Sequence, residues 1–310
     1  MRALTIEDFS SAPVDIETFI NDPHYLGGVM QGLYPYWVKN LKTVFPDNVS
    51  SSVCEVMLTG ALGTGKTTAA VVGFLYDLYK ITMLDDPHKK WAILPSTSIV
   101  LSVIALAASK SFVSDVILDA INLSPYFKGL LLPGKGGSLE IDMFPHKVGI
   151  EIQTRKQQVL GRAVMGSLVD DTGIKDESDV SSIVENYEST FCRSYTRFSS
   201  EFMEMPVRMW LTSSASSLLD GFVWTRAEDP RVAVFSPAVW EAQAHKGIYS
   251  GNTFLLFVGS ETEEPCIVKD ASYAEKYKSR IMRVPIEYIS EFERNMPMAL
   301  RELAGVYPKN

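Results

Sequence analysis

The sequence has few of the residues that hold small domains together through disulfides or metal ions. Three cysteines occur in 310 residues, and no two of them stand at C-x-x-C spacing: Cys54, Cys192 and Cys266. The four histidines are equally scattered, with no pair at metal-ligand spacing: His24, His88, His146 and His245. This scarcity argues against a disulfide scaffold and a structural zinc site, and it favours a reduced, cytosolic setting. We interpret the histidines as surface or packing residues.

The sequence also lacks a targeting segment and an excess of positive charge. Residues Met1 to Asp8 have no apolar core of the kind found in a signal peptide. One uncharged run, Trp91 to Ser109, has membrane-span length but contains Pro95 and several hydroxyl residues, so we predict a strand (Trp91 to Leu94), a loop and a buried helix. The net charge of −8 means that any nucleic-acid contact has to come from local basic patches.

One stretch carries a specific motif: Gly60-Ala61-Leu62-Gly63-Thr64-Gly65-Lys66-Thr67-Thr68 matches G-x-x-x-x-G-K-[ST]. An apolar run precedes it (Val53 to Leu58) and a helix-compatible run follows it (Ala69 to Tyr76), which predicts strand, loop and helix. The three glycines permit a tight turn that brings backbone N–H groups against phosphate oxygens at a helix N-terminus. The predicted ATP-binding residues are Gly60, Gly63, Thr64, Gly65, Lys66, Thr67 and Thr68.

Within this phosphate loop, Lys66 is predicted to reach the β- and γ-phosphates, and the Thr67 hydroxyl to bind Mg²⁺. An aromatic stretch, Tyr34 to Leu41, stands shortly before the loop. We predict that Trp37 helps to sandwich the adenine; the alternative is that Tyr36 or Trp37 is simply core.

Hydrolysis also needs carboxylates, and Ser167-Leu168-Val169-Asp170-Asp171 supplies two at the end of an apolar strand. Asp170 is predicted to hold the metal, directly or through water. Asp171 takes the place where a catalytic carboxylate orients the attacking water. The alternative is an exposed acidic turn, because Asp176, Glu177 and Asp179 follow closely.

A second cation and a sensing group complete the predicted site. Arg162 is the first candidate for an arginine finger supplied by a neighbouring subunit, and Arg155, Arg193 and Arg197 are the runners-up; each has an alternative reading as a surface charge. Thr212, Ser213 and Ser214 end a strand that we expect beside the Asp170 strand, where a hydroxyl can sense the γ-phosphate, although a plain strand-end turn would have the same sequence.

Strand and helix patterns alternate along the chain, which predicts an α/β fold with a mainly parallel central sheet flanked by helices. After the loop helix, which we expect to reach about Lys80, the predicted elements are a helix from Ile99 to Ser114, a hairpin from Leu139 to Phe144 and Val148 to Thr154, a strand from Met165 to Asp170, a helix from Val180 to Arg193, strands at Arg208 to Leu211, Val232 to Phe235, Thr253 to Val258 and Ile281 to Val284, and a closing helix from Ile286 to Ala304.

The order of these motifs resembles the ATPase domain of the large terminase subunit of tailed bacteriophages. The resemblance rests on the phosphate loop, on Val159-Leu160-Gly161-Arg162 leading into Gly166 to Asp171, on Tyr195-Thr196-Arg197-Phe198, on Leu211-Thr212-Ser213-Ser214, and on a tail with Arg283-Val284-Pro285-Ile286, Phe292 and Leu300 to Val306. It covers about residues 30 to 307. Only the phosphate loop is specific by itself; the other motifs contribute through their order and spacing.

The resemblance implies a P-loop NTPase of the RecA-like (ASCE) type with a small C-terminal lid region. Residues 1–50 would form a helical, adenine-side segment, 51–260 the ATPase core and 261–310 the closing segment. Its implied activity is ATP hydrolysis with Mg²⁺, driving double-stranded DNA into a procapsid in the cytoplasm of an infected bacterium. The implied partners are DNA, the portal protein, the small terminase subunit and further copies in a ring, with no membrane. Lys66 and Thr67 would bind ATP and Mg²⁺, Asp170 and Asp171 would be the metal-site acid and catalytic carboxylate, and Thr212 to Ser214 would couple hydrolysis to movement.

Two departures from the family pattern leave alternatives open. The family has Asp-Glu where this sequence has Asp170-Asp171, so Glu177 could substitute or the activity could be weak. The family also carries a C-terminal nuclease domain, whereas this sequence stops at Asn310 just after the closing segment, so we expect the motor domain alone, without nuclease activity. Another RecA-like translocase or helicase, and an ATP-binding switch with little turnover, are the alternative functions.

Overall fold

The computed structural model describes residues 3–47, 49, 51–105, 107–137, 140–143, 146–154, 162–170, 176–215, 218–260, 262–269 and 275–306. An eight-stranded sheet forms its centre. The strands are β1 (Glu55–Leu58), β2 (Ile99–Ala105), β3 (Leu131–Gly137), β4 (Glu140–Met143), β5 (Val148–Thr154), β6 (Ala163–Asp170), β7 (Met209–Thr212) and β8 (Val232–Phe235), and their order across the sheet is β3-β4-β5-β2-β6-β7-β1-β8.

Six of these strands, β5, β2, β6, β7, β1 and β8, are parallel to one another, and β3 and β4 add an antiparallel edge. Every residue of β1, β6 and β7 is buried, as is usual for parallel strands that helices cover on both faces. The predicted α/β class and mainly parallel sheet are confirmed.

Helices cover the sheet, and a smaller sheet follows it in the chain. The helices are α1 (Ile16–Asn21), α2 (Pro35–Val44), α3 (Lys66–Thr82), α4 (Pro87–Lys90), α5 (Ala107–Leu123), α6 (Pro125–Leu130), α7 (Glu177–Phe198), α8 (Asp220–Arg226), α9 (Val239–Ala242), α10 (Ile289–Arg294) and α11 (Met296–Ala299). The small antiparallel sheet contains β9 (Thr253–Phe257), β10 (Cys266–Val268) and β11 (Ile281–Pro285), with β9 in the middle. Within the described residues, no helix is both long and apolar enough to cross a lipid bilayer.

The structure corrects the prediction for residues 91 to 114. Trp91 to Leu94 form a turn after α4 and not a strand, and the predicted helix from Ile99 begins instead with strand β2. This strand lies in the middle of the sheet, where Ile99 and Val103 are fully buried. Its β-branched side chains suit a pleated, buried strand, but a short apolar run does not by itself distinguish a strand from a buried helix.

Other elements agree with the sequence prediction except at their ends. The predicted hairpin is confirmed by the antiparallel pairing of β4 with β5, although its end residues Leu139 and Phe144 lie outside the described residues. The predicted single closing helix is broken at Asn295, whose backbone is extended (φ −154°) and whose side chain accepts a hydrogen bond from the Met298 N–H group. Asn295 therefore ends α10 and caps α11.

A buried cluster of charges joins α3 to β7. The Asp77 carboxylate on α3 accepts hydrogen bonds from Arg208 Nη1 at 2.7 Å and from Trp210 Nε1 at 3.0 Å. Lys80 Nζ lies 3.8 Å from the same carboxylate, and the Arg208 guanidinium lies 4.1 Å from the centre of the Phe45 ring. Burial, followed by the charge of Arg208, lowers the pKa of Lys80 to about 7. One carboxylate thus serves two buried cations.

Candidate nucleotide-binding site

The phosphate loop connects the carboxyl end of β1 to the first residue of α3. Its three motif glycines all have left-handed backbone angles, with φ of +94° at Gly60, +67° at Gly63 and +80° at Gly65. A Cβ atom at Gly60 would lie 2.7 Å from the Pro237 carbonyl oxygen. The loop therefore needs glycine, both for its φ angles and for its close approach to the neighbouring chain segment.

Side chains from two other segments hold the loop in place. Trp37 Nε1 on α2 donates a 2.6 Å hydrogen bond to the Thr64 carbonyl, and Gln243 Nε2 donates to the Gly63 carbonyl at 3.2 Å. Within the loop, the Thr64 hydroxyl donates to the Ala61 carbonyl at 3.0 Å. These bonds fix loop carbonyls from several directions, which favours a preformed loop.

The structure places Trp37 beneath the loop. Its side chain is 1 % exposed and packs in the main hydrophobic core, so its position is that of the packing alternative. The adenine-stacking role of Trp37 stays a prediction. Tyr34, which belongs to the same aromatic stretch, is only partly buried and lies near Gly65, with the His245 ring 5.0 Å from its own.

The Lys66 side chain curls back into its own loop. Its ammonium group donates to the Ala61 carbonyl and lies 3.5 Å from both the Gly60 carbonyl oxygen and the Thr64 hydroxyl. The side chain is largely buried. A phosphate at the loop would offer this ammonium charged oxygens in place of neutral carbonyls, and charge-assisted hydrogen bonds are roughly twice as strong as neutral ones.

Asp170, Thr67 and Thr212 meet beside the loop. Asp170 Oδ1 accepts hydrogen bonds from the Thr67 hydroxyl at 3.3 Å and from the Thr212 hydroxyl. Asp170 is 1 % exposed, and its Oδ2 atom is buried without a hydrogen-bond partner among the described residues. The predicted adjacency of the two strands is confirmed, because Asp170 of β6 pairs with Thr212 of β7.

This cluster fits a magnesium ion. Mg²⁺ prefers carboxylate and hydroxyl oxygens and water as ligands, and the buried, unpartnered Oδ2 of Asp170 is the kind of atom that a cation would satisfy. Thr67 and Asp170 are the residues that would hold it.

The segment after Thr212 runs along the phosphate loop. The Ser213 N–H group donates to the Leu58 carbonyl at 2.8 Å, and the Ala215 N–H group donates to the Gly60 carbonyl at 3.1 Å. Ser213 is fully buried and Ser214 partly buried. The segment proposed for coupling is therefore bonded directly to the strand and loop that would carry the nucleotide.

Two of the predicted catalytic residues are not brought together with this cluster. Arg162 precedes β6 at its amino end, whereas Asp170 ends it, so about eight residues of extended chain, or roughly 26 Å, separate them. Arg162 Nη1 lies 3.3 Å from Glu151 Oε2 on β5. Asp171 and Arg155 lie outside the described residues. Arg193 and Arg197 are exposed on α7.

Sequence reasoning missed Asp220, which supports the base of the loop. Its carboxylate accepts hydrogen bonds from the Thr59 hydroxyl at 2.7 Å and from Trp224 Nε1 at 2.9 Å, and burial raises its pKa. Thr59 is the residue directly before Gly60. Asp220 therefore ties α8 to the start of the loop, a contact that no local sequence pattern indicates.

Sequence reasoning also missed how the C-terminal segment touches the loop. The Leu62 N–H group donates to the Glu302 carbonyl at 3.0 Å. Gly305 has φ of +69°, and a Cβ atom there would lie 2.6 Å from the Ala61 nitrogen. This glycine ends the π-helical turn Leu300–Ala304, a position where glycine is common, but only the fold shows that it lies against the loop.

The Gly305→Ala variant is expected to unfold with about 2 kcal/mol or more less free energy, because it combines a strained φ with a backbone clash. The matched control is Gly247→Ala, where φ is +62° but nothing lies within 4 Å of the added Cβ. That control should cost only about 1 kcal/mol. Urea unfolding of both variants measures the difference, and equal losses would show that the close approach to Ala61 is not tight.

A phosphate loop after β1, an acid at the end of β6 and the strand β7 between them define the class: this is a P-loop NTPase fold of the RecA-like type, in which an additional strand separates the loop strand from the acid strand.

Comparisons with known proteins add structural neighbours. No protein-family model matches the chain, and no curated protein matches it. The structure is similar to the large terminase of bacteriophage HK97, with a TM-score of 0.49, 12 % identity, and 94 % of this chain and 54 % of that chain covered. The large terminase of a thermophilic bacteriophage in complex with ATP-gamma-S follows, with 0.45, 9 %, 89 % and 53 %. S. cerevisiae Dbp5 bound to RNA and ADP BeF3 gives 0.31, 12 %, 69 % and 52 %. The chain spans about half the length of these structures.

Proposed function

We propose that this chain is an ATP-hydrolysing motor domain that drives double-stranded DNA into a viral procapsid, as part of a large terminase subunit. The observation that carries the nucleotide part is the meeting of Thr67, Asp170 and Thr212 beside the phosphate loop, with Asp170 Oδ2 buried and unpartnered among the described residues. The order of the sequence motifs supports the packaging part.

In this proposal the loop binds the triphosphate and Lys66 carries the main positive charge. Lys66 exchanges its bonds to the loop carbonyls for bonds to the β- and γ-phosphate oxygens. Thr67 and Asp170 hold Mg²⁺, which when bound neutralises the charge that develops on the phosphates. Asp171 orients the attacking water, since it follows the metal-site carboxylate directly in the sequence.

Coupling to movement runs through Thr212, Ser213 and Ser214. The Thr212 hydroxyl donates to the same Asp170 oxygen that Thr67 contacts, so a change in the ligands of Asp170 alters the end of β7. The next residues are bonded to β1 and to Gly60. The chain then continues towards α8, so that hydrolysis can shift this element relative to the loop.

Arg162 cannot reach the site of its own chain, because it stands at the opposite end of β6. It is therefore proposed as a finger for the site of a neighbouring copy in a ring. The ring would dock on the portal protein and work with the small terminase subunit. DNA would be held through phosphate contacts without base reading, with an affinity that falls steeply with salt.

Complementation between two inactive variants tests this arrangement. Lys66→Ala lacks a working nucleotide site, and Arg162→Ala lacks the finger, so each alone should lose about 10³-fold in turnover. Mixed in equal amounts, they should regain activity, because a Lys66→Ala copy can supply its intact Arg162 to the nucleotide site of an Arg162→Ala copy. Lys42→Ala, which removes an exposed cation far from the loop in sequence, is the control.

The outcomes separate the candidate functions. A mixture that stays inactive, with Arg162→Ala near the wild-type rate, would exclude Arg162 as a finger acting in trans. Stimulation by single-stranded but not double-stranded DNA would favour another RecA-like translocase. Tight ATP binding with no turnover under any condition would favour a nucleotide switch.

A further inference from the structure

Three side chains of metal-ligand type meet at the edge of the central sheet opposite the phosphate loop. Asp86 precedes α4, His88 lies within it, and His146 lies in the turn that leads into β5. One ligand atom from each residue lies within 4.8 Å of the other two. We propose that Asp86, His88 and His146 bind one divalent transition-metal ion of the zinc or cobalt class, at a site independent of the nucleotide.

His88 has the support that a ligating histidine needs. Its ring is largely buried, and its Nε2 atom lies 2.8 Å from the Thr97 carbonyl oxygen. A carbonyl only accepts hydrogen bonds, so in the neutral ring Nε2 carries the proton and Nδ1 keeps its lone pair. Metal-ligating histidines almost always donate their second ring nitrogen in this way, which fixes both tautomer and orientation.

The turn that carries His146 has an unusual backbone. His146 and Lys147 have φ of +72° and +48°, angles that non-glycine residues adopt uncommonly. The turn is held to the next strand by the Ile99 N–H group, which donates to the Lys147 carbonyl at 3.0 Å. Such strain persists where the surroundings determine the conformation, and it occurs often at binding sites.

Asp86 completes a ligand set with a clear chemical preference. One of its oxygens, Oδ1, accepts a 2.9 Å hydrogen bond from the Lys89 N–H group, which orients the carboxylate. Two imidazoles and one carboxylate suit Zn²⁺, Co²⁺ or Ni²⁺ better than Mg²⁺. In a tetrahedral site with bonds of about 2.0–2.2 Å the ligand atoms stand roughly 3.4 Å apart, so small side-chain movements would close the site.

The site lies away from the nucleotide. Lys147 and Ser98 stand at the amino ends of parallel strands, where they bond to the first residues of β2 and β6. The phosphate loop lies at the carboxyl ends, about 23 Å away along the seven-residue β2. An ion here would tie α4 to the turn before β5 and would act on stability rather than on chemistry.

Titration of the chelator-treated full chain with Zn²⁺ and Co²⁺ tests the proposal, with calorimetry for stoichiometry and the visible absorption of bound Co²⁺ for geometry. We expect about one ion per chain, a rise of several degrees in Tm with excess Zn²⁺, and no comparable effect of Mg²⁺. Asp170→Asn should keep this binding, because it changes only the nucleotide site.

The decisive variant is His146→Asn, since asparagine tolerates positive φ and removes only the imidazole. It should fold normally and lose Zn²⁺ binding at least 10-fold, whereas the exposed histidine variant His24→Asn should bind as the wild type does. Absence of binding at micromolar Zn²⁺, or binding that His146→Asn and His88→Gln leave unchanged, would overturn the proposal.

Discussion

Replacing Lys66 with alanine is expected to reduce ATP turnover by at least about 10²- to 10³-fold, and to weaken nucleotide binding. The ammonium group lies inside the phosphate loop, bonded to the Ala61 carbonyl, where it is placed to meet the phosphates. No other lysine occurs between Gly60 and Tyr79, so the loop and its helix offer no nearby replacement. Steady-state phosphate release and titration with a fluorescent ATP analogue measure the two effects.

A conservative variant separates charge from folding. Lys66→Met keeps most of the apolar stem and removes only the positive charge, so its unfolding midpoint should stay close to that of the wild type while turnover falls as in Lys66→Ala. Turnover within a few-fold of the wild type in both variants would mean that this loop does not bind the reacting phosphates.

Replacing Asp77 with alanine is expected to cost about 3–5 kcal/mol of unfolding free energy, the largest stability effect that we predict. The carboxylate is fully buried and accepts from Arg208 and Trp210, with Lys80 nearby. Without it, two buried cations and one indole N–H group lose their shared partner. Urea unfolding, or failure to obtain folded protein, checks this result.

Lys80→Met is the matched variant in the same cluster and should be neutral or stabilising. It removes one of two cations that share a single carboxylate and leaves the Arg208–Asp77 pair intact. An equal loss of stability in both variants would contradict the proposed division of roles in this cluster.

The same lysine gives stability a dependence on pH. Its pKa is about 7 in the folded chain, against an ordinary value of 10.5, so between these values the unfolded chain binds a proton that the folded chain does not. The unfolding free energy should therefore rise with pH in this window, with a slope of up to about 1.4 kcal/mol per pH unit from this group. Comparing wild type with Lys80→Met isolates this slope, and identical pH profiles would refute it.

Sequence alone predicted the parts of the site that local patterns determine. The phosphate loop is one continuous motif, and its glycines have the left-handed angles that the motif requires. Asp170 and Thr212 each end a buried strand, and parallel strands bring their carboxyl ends to one edge, so their meeting followed from a general rule. The catalytic and coupling roles of these residues stay predictions.

The contacts that sequence did not reveal join distant parts of the chain. Trp37 lies under the loop rather than beside an open pocket, and Gly305 touches it from the far end of the sequence. His88 and His146 looked unrelated because 57 residues stand between them, yet β5 and β2 bring their turns together. Strand β2 was predicted as helix, because its apolar run fits either structure until its neighbours are known.

The most direct measurement of the central claim is steady-state ATP hydrolysis by this chain with Mg²⁺ over a series of protein concentrations, with and without double-stranded DNA. We predict turnover that requires Mg²⁺, rises per subunit with concentration as copies assemble, and is lost in Asp170→Asn. A chain that binds ATP but releases no phosphate at any concentration, with or without DNA, would contradict the proposal that this site drives a motor.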